Sequence, residues 1–410
     1  MTIRSVKGEK IMAFLFASLY NIMKRIYVRI YRILFCMMTK LPPNKNLVVF
    51  ESFLGKQYSD NPRAIYEYMK EHDMDFTFYW SVDKRNEHLF QGRGLNTVRR
   101  LSLRWLLIMP RAKYWITNSR LPLWIPKPKH TTYVQTWHGT PLKKLAADMR
   151  EVHMPGTTTE KYKRNFTEEA AKWDYLVSPN QYSSEIFRRA FRFNKTMIES
   201  GYPRNDYLYY ANTTETIKDL KQKYDLPLDK KIVLYAPTWR DNQFHKKGRY
   251  KFDNSLDLSK MKEELGSKYI LLLRMHYLVA ENLNLSDYEG FAYDFSRHED
   301  IRELYLMADV LVTDYSSVFF DYANLHRPII FYVYDIDEYR DKLRGFYFDI
   351  EEQAPGPLVK TTEGVIDEIN RAREVDVTTD KIYQDFYQRF CGLESGDAAK
   401  QVVDIVFEDN

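Results

Sequence analysis

Four short stretches of the chain carry side chains able to move a proton or hold an anion, and each directly follows an apolar run. The first is Thr136-Trp137-His138-Gly139-Thr140-Pro141, after Thr132 to Gln135. An imidazole is both acid and base near neutral pH, and Gly139 leaves backbone space beside it; a buried structural histidine in a turn is the alternative reading. The second is Ala236-Pro237-Thr238-Trp239-Arg240 after Ile232 to Tyr235, and the third is Arg274-Met275-His276 after Tyr269 to Leu273. Arg240 and Arg274 are planar donors suited to phosphate oxygens, with surface salt bridges as the plainer role, and His276 can add a contact or donate a proton. The fourth is Thr313-Asp314-Tyr315-Ser316-Ser317, before the helical pattern Val318 to Leu325. Serines there are ordinary helix caps, yet free amides and hydroxyls at a helix start also make an anion site.

These stretches gain meaning from the elements that precede them, because ligands of open parallel sheets gather beyond the carboxyl ends of strands. After Pro42-Pro43, short apolar runs alternate with helical patterns, which is the α/β signature. Strands are expected at Leu47 to Phe50, Phe76 to Val82, Tyr114 to Thr117, Thr132 to Gln135 and Tyr175 to Val177. Helices are expected at Arg63 to Lys70, behind Asn61-Pro62, and at Ser183 to Phe191. A second sheet is expected from Ile232 to Tyr235, Tyr269 to Leu273, Val310 to Val312 and Ile329 to Val333. The polar stretch Thr213 to Lys230 reads as the bridge between two lobes, and 410 residues are too many for one ordinary core. Four units follow: residues 1–45, 46–212, 213–380 and a helical tail, 381–410.

The first unit is basic and apolar together. Arg4, Lys7, Lys10, Lys24, Arg25, Arg29, Arg32, Lys40 and Lys45 face a single acid, Glu9, around an apolar run from Ile11 to Met23. A spanning helix needs about 20 apolar residues, so this segment is expected to lie on an anionic membrane surface; a cleaved leader or a docked helix are the alternatives. Beyond it, basic and acidic residues are interspersed, which argues against nucleic-acid binding. Cys36 and Cys391 have no metal-ligand spacing and suit a reducing compartment. There is no phosphate-binding glycine loop, Gly92-Arg93-Gly94 lacks a third glycine, and Asp335-Ile336-Asp337 reads as a loop rather than a metal site. No cofactor is expected, and metal dependence stays open.

The strings Gln135-Thr-Trp-His-Gly-Thr-Pro-Leu-Lys-Lys144, Gly201-Tyr-Pro-Arg-Asn-Asp206, Tyr235-Ala-Pro-Thr-Trp-Arg240, Leu273-Arg-Met-His276 and Val312-Thr-Asp-Tyr-Ser-Ser317 closely resemble the CDP-glycerol glycerophosphotransferases of wall teichoic acid synthesis. The likeness continues through Phe50-Glu51-Ser52-Phe53, Tyr58-Ser59-Asp60-Asn61-Pro62 and Arg344-Gly345-Phe346-Tyr347. It implies a GT-B-like fold, with two Rossmann-type lobes facing a cleft, the acceptor on the first and CDP-glycerol on the second. It further implies that His138 is the base and His276 a second essential histidine at the donor phosphates. Its donor-binding set covers Trp137, His138, Gly139, Thr140, Pro141, Arg204, Pro237, Thr238, Arg274, Met275, His276, Ser316, Ser317 and Asp321. The implied partners are CDP-glycerol, an undecaprenyl-diphosphate-linked disaccharide acceptor and other wall teichoic acid enzymes. The implied place is the cytoplasmic face of the bacterial membrane, bound peripherally. Without a long N-terminal extension, the sequence reads as a short member adding one or a few units. Rival readings are a CDP-ribitol enzyme, a processive polymerase, a nucleotide-sugar glycosyltransferase and an inactive nucleotide-binding scaffold.

Overall fold

The computed structural model describes residues 3–152, 156–238, 244–246, 249–250, 256–275, 284–338 and 345–407, with backbone alone for 3–17, 244–246, 249–250 and 338. In the first lobe, seven strands lie at β1 (Asn44–Glu51), β2 (Thr77–Val82), β3 (Thr97–Arg99), β4 (Ala112–Thr117), β5 (Thr132–Gln135), β6 (Tyr175–Ser178) and β7 (Thr196–Glu199). They form one sheet in the order β3-β2-β1-β4-β5-β6-β7, and every pairing is parallel. The second lobe holds β8 (Lys231–Tyr235), a hairpin of β9 (Phe244–Lys246) and β10 (Arg249–Tyr250), then β11 (Tyr269–Leu273), β12 (Ala292–Asp294), β13 (Val310–Thr313), β14 (Ile329–Tyr332) and β15 (Leu358–Val359). Its six-stranded sheet is also parallel, in the order β12-β11-β8-β13-β14-β15.

Each sheet is buried on both faces, which is why its central strands read as unbroken apolar runs. Successive residues alternate between two cores: Leu47 and Val49 face one, Val48 and Phe50 the other. In the second lobe Ile232 and Leu234 lie on one side, with Val233 and Tyr235 on the other. The expected strands are all present. Besides the hairpin β9–β10, the additional ones, β3, β7, β12 and β15, are short edge strands whose pairing, not their pattern, makes them strands.

Helix α1 (Ile3–Met38) is continuous, and its C-terminal half docks through Tyr31 and Phe35 onto Trp105, Trp115 and Trp124. Leu19, Ile22, Met23, Ile26, Ile30 and Ile33 stay exposed along it. Among the described residues, no helix is long and apolar enough to cross a membrane.

The chain crosses between lobes twice. Arg204 and Asn205 sit at the first crossing; Leu208 and Ala211, ahead of the expected bridge at 213, are already buried in the second lobe's core. The second crossing follows the helix Lys381–Phe390, whose Tyr383, Phe386 and Phe390 pack in the second lobe. The helix Ala398–Phe407 then returns to the first, burying Val402, Val403, Val406 and Phe407 among Phe76, Tyr114 and Val134.

Candidate functional site

Beyond β5 the chain turns sharply. Trp137 adopts a left-handed backbone (φ 53°), which strains a residue with a bulky side chain by about 1–3 kcal/mol. Its surroundings hold it there. The indole packs on Phe166, Phe187 and Phe191, the Trp137 backbone N–H donates to Gln135 Oε1 at 3.0 Å, and the Asn61 side-chain amide donates to the carbonyls of Thr136 (3.3 Å) and Trp137 (3.2 Å). Gly139 N–H donates to the buried Tyr202 hydroxyl at 3.2 Å.

His138 leaves this turn stacked on Trp137 (centroids 4.5 Å apart) and edge-on to Phe53 (5.7 Å). Its Nδ1 lies 2.7 Å from the Asn118 carbonyl. A carbonyl only accepts, so Nδ1 carries the proton and Nε2 keeps its lone pair. Burial lowers the imidazole pKa below its ordinary value; Asp60 opposes this, and Arg204 and Arg120 add to it. The ring is therefore neutral at pH 7, and Nε2 is able to accept a proton.

Facing this turn, β11, β8 and β13 are adjacent strands whose ends present the other candidate residues side by side. Thr238 N–H donates to Asp314 Oδ1 at 2.7 Å and Thr313 Oγ1 to the Ala236 carbonyl at 2.7 Å, which ties the Pro237 loop to the neighbouring strand end. Arg274 donates from Nη1 to the carbonyls of Phe295 (3.0 Å) and Ser296 (2.5 Å), and Met275 N–H to Ser296 Oγ at 3.1 Å. Among the described residues no carboxylate pairs with Arg274. Burial pushes its pKa down, and a phosphate would meet its remaining donors.

Ser316 and Ser317 are half-buried, and the helix after them, Val318–Tyr322, has only five residues. Ser317 makes no side-chain cap bond. What it does meet is Gly139: a Cβ there would lie 2.9 Å from Ser317 Oγ, so the glycine lets strand-end loops of the two lobes touch. The contact continues along the chain. Thr140 and Pro141 are buried, the Tyr182 hydroxyl donates to the Pro141 carbonyl at 2.8 Å, and Leu142 enters the second lobe's core. Tyr347 N–H donates to the Leu142 carbonyl (2.8 Å) and Lys144 N–H to the Gly345 carbonyl (3.2 Å).

Arg204 and Asp321, both expected in the donor set, pair with each other. Arg204 donates from Nη2 to both Asp321 oxygens (3.0 and 2.9 Å) and from Nη1 to Asp60 at 3.0 Å, while its backbone N–H reaches Asn61 Oδ1 at 3.1 Å. Burial disfavours the charged guanidinium, but Asp321 and Asp60 outweigh it and hold the charge. With two carboxylates on one cation, this is a lobe-to-lobe bridge. His276 and Arg240 lie outside the described residues. Asp335 accepts from the Tyr315 hydroxyl at 3.2 Å and Asp337 lies 3.6 Å from Lys360. Among the described residues no three His, Cys, Asp or Glu side chains gather as a metal site.

The sequence reading did not include Asn61, Asn118 or Tyr202 among the site residues. Asn118 directly follows an apolar strand, so the strand-end rule applied to β4 would have found it. Asn61 stands in the sequence as a helix start and in a stretch of family likeness, with no site role assigned.

The model of the family described as CDP-glycerol:poly(glycerophosphate) glycerophosphotransferase matches residues 33–408. The chain belongs to this family. Among curated relatives of this glycerophosphotransferase, the teichoic acid poly(glycerol phosphate) polymerase of Bacillus subtilis is 61% identical over 94% of the chain, which spans only 52% of that protein. The teichoic acid glycerol-phosphate transferase of Staphylococcus aureus is 48% identical over 91% of the chain and 96% of its own length. A solved structure of a variant of the wall teichoic acid polymerase TagF, soaked with CDPG, superposes with a TM-score of 0.88 at 43% identity, covering 96% of each chain. The two parallel-sheet lobes are thus a GT-B-like pair.

Proposed function

We propose that this glycerophosphotransferase moves glycerol phosphate from CDP-glycerol to the terminal hydroxyl of a lipid-linked teichoic acid precursor at the membrane surface and releases CMP. The observation that carries the reading is His138, neutral and tautomerically fixed by the Asn118 carbonyl, on a loop that meets the second lobe where Gly139 lies against Ser317. The acceptor oxygen attacks the phosphorus that bears glycerol and hands its proton to His138 Nε2. The bond from that phosphorus to the bridging oxygen breaks, and the electron pair leaves on CMP. Arg274, Thr238 and Ser317 are proposed to meet the growing negative charge, the main source of rate in phosphoryl transfer. Helix α1, with exposed isoleucines among basic residues, would seat the enzyme on anionic lipid. Repeated addition is favoured over a single unit because identity to the Bacillus subtilis polymerase (61%) exceeds that to the Staphylococcus aureus transferase (48%).

The test is mass spectrometry of a lipid-linked disaccharide, with and without one glycerol phosphate already attached, after incubation with enzyme and either CDP-glycerol or CDP-ribitol. A ladder of glycerol phosphate additions supports the proposal in full. A single addition keeps the chemistry and removes polymerisation, reaction with CDP-ribitol alone moves the donor, and no CMP release from either donor overturns it.

A further inference from the structure

Two residues past the carbonyl that orients His138, Arg120 is a half-buried guanidinium with nothing to donate to. It has no hydrogen-bond acceptor and no ion-pair partner among the described residues, although five N–H groups project from it. Its guanidinium carbon lies over aromatic rings, 4.1 Å from the Phe166 ring centre and 5.5 Å from that of Tyr162. Contact of this kind restrains a guanidinium while leaving its edge open for bidentate bonding. Glu169, the carboxyl facing it, pairs with Lys172 at 2.7 Å and makes no ion pair with Arg120. Nearby, the Asn118 side-chain amide is likewise buried without an acceptor. Arg120 is close enough to His138 to lower the imidazole pKa, and the groups that face it, Tyr133, Tyr162, Phe166 and Glu169, all belong to the first lobe.

We infer that Arg120 binds a phosphodiester of the acceptor, and so makes the enzyme prefer an acceptor that already ends in glycerol phosphate. The inference rests on the glycerophosphotransfer reading above. A cation fixed on the acceptor side of the base can hold the last phosphate of the chain while the glycerol hydroxyl beyond it points at His138 Nε2. An acceptor without that phosphate leaves the guanidinium partly desolvated and unmatched, which is a penalty against binding rather than mere loss of a contact.

Full-length wild type, Arg120→Gln and Arg120→Lys are compared by calorimetric titration with CDP-glycerol and with a soluble acceptor analogue ending in a glycerol phosphodiester. In parallel, kcat/KM is measured for acceptors with and without that phosphate. The expected result for Arg120→Gln is a loss of about ten- to a hundredfold in affinity for the phosphodiester analogue, an unchanged Kd for CDP-glycerol, and a ratio of the two kcat/KM values falling towards one. Arg120→Lys keeps the charge without the planar fork and should fall between. Weaker CDP-glycerol binding with acceptor binding intact would give Arg120 to the donor and overturn the inference, as would an unchanged acceptor ratio. Wild type that binds the analogue but releases no CMP would refute the glycerophosphotransfer reading instead, and the binding arm would still decide the role of Arg120.

Discussion

Because the Asn118 carbonyl cannot give up a proton, the tautomer of His138 is set by the backbone, and among the described residues no carboxylate bonds to the ring. The base of the proposed mechanism is accordingly a weak one, kept neutral by burial. His138→Ala is expected to lower kcat by about 10²–10⁴-fold while the Kd for CDP-glycerol, measured by titration calorimetry, stays near the wild-type value. The same geometry fixes the sign of the pH dependence: kcat/KM should fall as pH drops through the lowered pKa, hence below the ordinary 6.5 of histidine, and no loss attributable to this group should appear above it. A rate–pH profile checks this. At this scale the sequence was legible where a reactive side chain closes a strand, as for His138 and Arg274. It was not legible for Arg204, because its two carboxylates are 144 and 117 positions away, and only the fold brings them to it.

Among elements, length decided what could be read. Strands such as β8, β11 and β13 are apolar throughout because both sheet faces are covered, whereas β3, β12 and β15 have two or three residues and no pattern of their own. Helix α1 was legible as a basic, apolar segment, and the structure adds which residues are occupied: Tyr31 and Phe35 are buried in the first lobe, leaving Ile22, Ile26, Ile30 and Ile33 uncovered. Replacing these four isoleucines with asparagine should abolish flotation with vesicles rich in anionic lipid. The melting temperature should stay within about a degree, since exposed side chains support little of the fold. Loss of folding with retained flotation would instead make α1 a structural strut.

For the molecule as a whole, the lobes are joined by buried charge as well as by chain. Arg204→Met would strand Asp60 and Asp321 without their cation, and breaking a buried pair of this kind destabilises by about 3–5 kcal/mol. A lowered calorimetric melting temperature, larger than for a surface Arg→Met control, is the expected reading. Buried carboxyls extend the argument to pH. Burial raises Glu394 to about 8, Glu169 to about 7 and Asp206 to about 6. Each folded pKa lies above its unfolded value, so the folded state holds more protons in between, and these groups make stability fall as pH rises from about 5 to about 8. Glu394 accepts from Tyr202 N–H at 3.0 Å and Asn205 Nδ2 at 2.9 Å. Glu394→Gln should therefore flatten the slope of melting temperature against pH; an unchanged slope would assign it to other groups.

The return of the helix Ala398–Phe407 to the first lobe has a consequence for how the protein comes into being. Asp206 accepts from the Ala398 and Ala399 N–H groups at 2.9 and 2.8 Å, and Phe407 sits 4.3 Å from the Tyr114 ring, so the first lobe's hydrophobic interior is finished by its most distant stretch of sequence. During synthesis from the amino end, that lobe waits with an open apolar face until the second has been made. A ribosome that stops before residue 398 releases a protein whose first lobe is unsealed, one that proteolysis can recognise.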